Sequence, residues 1–133
     1  AGEDQALAAS RTLVLTQESE TFTFVNLGVE PVPSLLRGFT APVVLEYDYT
    51  DAQMLHLLEH GSDPFNRWEA GQRLAVSQAV TAIKSIADHT DPSWTTVLDD
   101  AYLGAMRQVL RHPTLDSAFK ELVLTLPSET YLA

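Results

Sequence analysis

The sequence predicts an α+β fold: strands first, then antiparallel helix pairs that read as the start of an ARM/HEAT-like α-solenoid. Three observations carry this. The first fifty residues hold runs of β-branched and aromatic types, the periodicity changes to a helical one at Thr50, and the connections between the later helical segments are short.

Arg11-Thr-Leu-Val-Leu-Thr16 and Thr21-Phe-Thr-Phe-Val25 read as a hairpin joined by the polar Gln17-Glu-Ser-Glu20. Phe22 and Phe24 alternate with threonines, so one face is apolar. Pro31 and Pro33 stop the pairing, because proline brings no ladder donor. Val43-Val-Leu-Glu-Tyr-Asp-Tyr49 reads as a third strand.

Thr50-Asp-Ala-Gln53 then has capping-box spacing, and Met54, Leu55, Leu57 and Leu58 follow at helical intervals until Gly61. Asp63-Pro64 starts a second helix: Asp caps, and Pro at the first position gives up an amide that has no intrahelical partner. Its expected inner face is Phe65, Trp68, Val76, Ala79, Ile83 and Ile86. Asp63–Arg67 and Glu69–Arg73 have the acid-before-base spacing of i,i+4 ion pairs. Gly71, in the middle of this helix, suggests close approach of a neighbour. Asp91-Pro92 repeats the start signal for a third helix over 93–111, carrying Trp94, Val97, Leu98, Tyr102, Met106, Val109 and Leu110. Pro113 ends it, and a fourth runs over 115–125 with Leu115, Phe119, Leu122 and Leu124. Pro127-Ser128-Glu129 opens one more start signal, so the expectation is two incomplete domains, 1–49 and 50–133, taken from something longer.

The chain has 133 residues, no cysteine, and 18 Asp+Glu against 8 Lys+Arg, a formal charge of −10. Its basic residues are scattered, so nucleic-acid binding and anionic membrane surfaces are not expected. No run approaches the ~18–20 apolar residues of a membrane span. The first ten residues do not read as a signal peptide, and the lack of cysteine removes disulfides and thiol chemistry. Both fit a cytoplasmic location.

The sharpest chemical motif is His56-Leu-Leu-Glu-His60, an H-x-x-E-H pattern with metal-ligand spacing on a helix. The apolar residues Met54, Leu55 and Leu58 turn His56, Glu59 and His60 outward, and a catalytic metal needs a third ligand and a cleft. The late acid, Glu129, lies at another helix start. The trio is therefore read as surface residues. His89 and His112 lie near helix ends, where a cation complements the dipole. Asp48, Asp51 and Asp63 read as caps. Asp99-Asp100 are sequence neighbours on a helix and do not face one another. Trp68 and Trp94 read as core. No phosphate-binding glycine loop or serine elbow is present.

Three blocks resemble a known family. Pro31-Val-Pro-Ser-Leu-Leu-Arg-Gly-Phe-Thr-Ala-Pro-Val43, Asp63-Pro-Phe-Asn-Arg-Trp-Glu-Ala-Gly-Gln-Arg-Leu-Ala75 and Leu124-Thr-Leu-Pro-Ser128 resemble, in order and spacing, the bacterial aminopeptidase N branch of the M1 zinc metallopeptidases. The resemblance implies that 1–49 is the C-terminal part of an Ig-like β-sandwich domain and 50–133 the first helices of an α-helical superhelix. It implies a parent that removes N-terminal amino acids from peptides with a zinc-activated water. The family's H-E-x-x-H motif is absent, since no histidine here is followed by Glu. Its Gly-Ala-Met-Glu-Asn loop is absent too: Gly104-Ala105-Met106 runs on into Arg107-Gln108 and reads as small residues at a helix contact. No catalytic, cofactor-binding or metal residue is carried over. Zinc is expected in the parent alone, with the parent's remaining domains as partners. The expected role is a non-catalytic structural segment that braces the catalytic domain and begins the substrate-access cap. The alternative is a free-standing helical interaction module without enzymatic activity.

Overall fold

Thr50 ends the irregular part of the chain. Its hydroxyl accepts from the Gln53 amide at 3.2 Å, and the Gln53 side chain accepts from the Thr50 amide at 3.0 Å. Both halves of the capping box are thus made, and helix α1 runs Asp51–His60. The computed structural model describes residues 10–87, 98–128 and 130.

Gly61 stops α1 by donating to the Leu57 carbonyl at 2.8 Å. Its φ is −56°, so the glycine is not needed for left-handed backbone; a Cβ there would press into the Leu57 carbonyl oxygen. Two residues later Asp63 caps helix α2, Pro64–Ala87, by accepting from the Asn66 amide at 3.0 Å. Helix α3, Asp100–Arg111, is capped by Asp99, which accepts from the Tyr102 amide at 2.7 Å. Asp99 therefore stands outside the helix as its cap, whereas the sequence placed it within a longer one. The expected earlier part of that helix, with Asp91-Pro92, Trp94 and Val97, lies outside the described residues. Helix α4, Ser117–Leu124, is capped by Asp116, which accepts from the amides of Ala118 and Phe119.

Helix α1 packs on α2 and α3, and α4 packs on the same two. Leu58, Leu74, Val109, Val123 and Tyr102 fill the space between them and are almost wholly buried. Burial of each large apolar side chain contributes about 1.5–3 kcal/mol. Gly71 lies at a close contact: a Cβ there would meet Leu58 Cδ1 at 3.3 Å and Met106 Cε at 3.6 Å. The close approach expected at this glycine is that of α1 and α3.

The inner face of α2 differs from expectation. Ala70, Gly71, Leu74 and Ala75 are buried, while Ile83 and Ile86 are exposed and Trp68, Val76 and Ala79 only half-buried. Small residues let the neighbouring helices come close, so the face with small side chains wins the core although the other is more apolar.

No strand is present among the described residues, and the strands expected at 11–16, 21–25 and 43–49 have no ladder. Val14, Leu15, Val25, Val43 and Val44 are exposed. A lone hairpin is marginal without a sheet or helix to bury its face, so β-rich composition alone does not form one here. The chain divides into two compact units, residues 1–31 and 32–133. In the first, a bend at 17–19 is closed by the Thr16 amide donating to Glu20 Oε2 at 3.1 Å. In the second, residues 32–49 belong with the four helices. No helix among the described residues is long and apolar enough to cross a membrane.

Candidate functional site

The three sequence blocks that carry the resemblance converge on the first half of α2. Ser34 Oγ and the Leu35 carbonyl both accept from Asn66 Nδ2, at 2.8 and 2.7 Å. Asp63 uses its second oxygen to accept from the Gly38 amide at 3.0 Å, so one carboxylate caps α2 and anchors the loop. Arg37 donates to Ser34 Oγ at 3.2 Å and to Ser62 Oγ at 3.0 Å. The third block joins through Gln72 Nε2, which donates to the Thr125 carbonyl at 2.7 Å.

The loop reaches this shape through left-handed backbone. Leu36, Gly38 and Phe39 have φ of 51°, 63° and 55°, around a 3₁₀ turn at Arg37–Phe39. Glycine takes that conformation freely, whereas Leu and Phe cost about 1–2 kcal/mol each. The bonds to Asp63 and Asn66 offset that cost. The turn also stacks Phe39 on Phe65 at 4.5 Å, and Phe65 on Trp68 at 5.7 Å.

Arg67 is the central charged residue. It is only 4% exposed and donates to the carbonyls of Leu58 at 2.6 Å and Glu59 at 2.7 Å. A third carbonyl, Gly61, lies 3.5 Å from Nη1. These groups belong to the last turn of α1 and its cap, where the helix dipole is negative and carbonyls lack intrahelical partners. Burial lowers the Arg67 pKa from its ordinary value. The expected Asp63–Arg67 and Glu69–Arg73 pairs are not made. Asp63 serves the loop and the α2 cap, and Arg67 serves α1. Arg73 donates to the Tyr47 carbonyl at 3.2 Å and lies 5.6 Å over the Tyr49 ring. The Tyr49 hydroxyl donates in turn to the Pro33 carbonyl at 2.8 Å. Burial, and next the neighbouring Tyr47, raises the Tyr49 pKa.

Beside the joint lies a groove of about 550 Å³ lined by Phe65, Trp68, Glu69, Arg73, Val76 and Pro127. Trp68 is thus a half-buried wall of the groove that also packs against the core.

The other candidates are spread out. His56 and His60 are exposed on α1, with buried Met54, Leu57 and Leu58 on the opposite side, as their spacing suggested. Their rings lie 5.0 Å apart, and Glu59 Oε2 is 3.5 Å from His60 Nε2. Among the described residues no group of three or more His, Asp or Glu is placed to hold a metal. His89 and Glu129 lie outside the described residues. His112 is the C-cap residue of α3. Asp51 occupies the first turn of α1, while Asp48 is exposed ahead of its cap, which is Thr50. Ala105 and Met106 are buried in the core, but Gly104 faces open space, contrary to the expected helix contact. The Tyr102 hydroxyl is buried with no hydrogen-bond partner among the described residues, a feature the sequence did not signal.

A family model described as "Domain of unknown function (DUF3458_C) ARM repeats" matches residues 51–133, more than half of the chain. The chain belongs to the DUF3458_C family. A second model, "Domain of unknown function (DUF3458) Ig-like fold", matches residues 1–48. The four α-helices among the described residues of this DUF3458_C member suit ARM-type packing. The chain is similar to Aminopeptidase N of Escherichia coli (strain K12), 37% identical over 121 residues, which is 91% of this chain and 13% of that protein. It is 35% identical over 133 residues to Aminopeptidase N of Caulobacter vibrioides, covering 100% of this chain and 15% of that one. Haemophilus influenzae Aminopeptidase N is 32% identical over 124 residues, 93% of this chain and 14% of its own length. The resemblance read from the three blocks is borne out: the DUF3458_C chain is homologous to a segment of bacterial aminopeptidase N, and spans about one-seventh of it.

Proposed function

We propose that the chain is a non-catalytic structural segment of a zinc aminopeptidase of the M1 type. The observation that carries this is the convergence of its three family blocks on a joint made of helix caps, carbonyl contacts and aromatic packing. In the parent, a zinc-activated water would release N-terminal amino acids from peptides, and the zinc ligands would come from residues outside this chain. Residues 1–48 would complete their Ig-like sandwich against strands of the parent. That accounts for a β-rich composition with exposed Val29 and Val44, at 81% and 90% exposure. The sandwich part would brace the catalytic domain, and the helices would begin the cap that limits substrate access. Partners are then the parent's remaining domains, in the cytoplasm.

The test is turnover of an alanyl chromogenic substrate by the 133-residue chain with zinc added. None is expected, and turnover that His56→Ala abolishes would overturn the proposal. A second measurement separates a segment from a free-standing interaction module. A segment binds an apolar dye and self-associates through faces such as Phe39 and Val44. A module melts cooperatively as a monomer without binding dye.

A further inference from the structure

We propose that His56 and His60 form a two-imidazole chelate for a divalent late transition metal ion. Both are exposed, both lie on the last two turns of α1, and their rings face each other at 5.0 Å and 55°. That spacing is compatible with a shared ion. Two imidazoles bound at ~2.0–2.1 Å, with an angle between them near that of a tetrahedron or octahedron, put their ring centres about 5 Å apart. The pair therefore needs little rearrangement to chelate, and a helix holds i and i+4 side chains on one face.

The surroundings favour a cation. Glu59 Oε2 stands 3.5 Å from His60 Nε2, so a carboxylate lies beside the donor set. The chain as a whole carries −10. Arg67 already occupies the Leu58 and Glu59 carbonyls, so these two oxygens do not compete with the imidazole nitrogens for the ion. Imidazole selects Cu²⁺, Ni²⁺ and Zn²⁺ over Mg²⁺, which prefers oxygen. With two protein ligands, the remaining positions on the ion are filled by water. The site holds the last turn of α1 together and leaves the ion accessible. It does not depend on the aminopeptidase reading, and it involves no turnover.

The experiment is calorimetric titration of the tag-free chain with Ni²⁺, Zn²⁺ and Mg²⁺, beside His56→Ala, His60→Ala and His112→Ala. One Ni²⁺ per chain is expected, with Zn²⁺ weaker and Mg²⁺ not binding. The second imidazole adds its contribution intramolecularly, so either single loss at 56 or 60 weakens Ni²⁺ by at least about tenfold. His112→Ala leaves the affinity unchanged. In parallel, paramagnetic Ni²⁺ broadens the ring resonances of His56 and His60 in the wild-type chain while those of His112 stay sharp, a readout independent of how the variants fold. Absence of Ni²⁺ binding, affinity that survives either His56→Ala or His60→Ala, or equal broadening of all the histidines would each overturn the proposal.

Discussion

Arg67 Nε donates to the Leu58 carbonyl oxygen at 2.6 Å, so a buried cation of the second helix closes the end of the first. The same guanidinium reaches the Glu59 carbonyl at 2.7 Å. One side chain thereby satisfies carbonyls that the helix cannot satisfy itself, and fixes the angle at which α1 turns into α2.

Removing it leaves the buried Leu58 carbonyl and the half-buried Glu59 carbonyl without this donor. Arg67→Ala is expected to cost about 2–4 kcal/mol, because bonds from charged donors are among the stronger ones and the orphaned acceptors add their own penalty. Arg67→Lys recovers less than half, since an ammonium cannot reproduce the planar fork. Urea unfolding at neutral pH measures both.

Asp63 has two tasks on two oxygens, the Asn66 amide and the Gly38 amide. Asp63→Ala is expected to cost about 1–3 kcal/mol, more than a simple cap, whose loss costs about 1 kcal/mol. Hydrogen exchange should show the Gly38 amide losing protection together with the first turn of α2. Loss at α2 alone would mean that the loop is held by other contacts.

At Gly71 the space is limiting. Gly71→Ala gains about 1 kcal/mol of helix propensity but must push Leu58 Cδ1 from 3.3 Å, so a net change under about 1 kcal/mol is expected. Gly71→Val overpacks the contact with Leu58 and Met106 and is expected to destabilise by about 1–3 kcal/mol. Thermal melts of the two variants give the comparison.

The buried hydroxyl of Tyr102 has no partner among the described residues, and burial pushes its pKa up to about 12 from 10.0. Tyr102→Phe removes an unsatisfied group at little change in shape, so stability at pH 7 is expected to be unchanged or up to about 1 kcal/mol higher. The pH dependence has a definite sign. The folded pKa is raised, so the associated stability is fully present below pH 10 and is lost as pH rises towards 12. Between these values wild type should lose stability more steeply than Tyr102→Phe, and the variant should lack the last phase of a tyrosine absorbance titration.

Much of the helical half was legible in the chain itself. Thr50 with Gln53, Asp63 with Pro64, and Pro113 after His112 are local signals, because a cap is satisfied within three or four residues of the group it serves. The outward placement of His56 and His60 follows equally from periodicity. Ion-pair spacing misled, since Arg67 and Arg73 found backbone carbonyls of other segments in place of the acids one turn away. Those partners lie eight, nine and 26 residues away, beyond the one-turn spacing, so no i,i+4 pattern announces them.

By itself the sequence determined where the helices start, which motif does not occur in it, and which family the three blocks resemble. Helix caps, an absent H-E-x-x-H and a block order are all read without knowing distances. Only the tertiary structure decided that the blocks meet on α2, that Ala70, Gly71, Leu74 and Ala75 and not Val76, Ile83 and Ile86 form its core face, and that residues 11–16, 21–25 and 43–49 lack a ladder. Each of these depends on what else is close enough to fill a space or accept a hydrogen bond. A strand especially needs a neighbour that its own sequence does not contain.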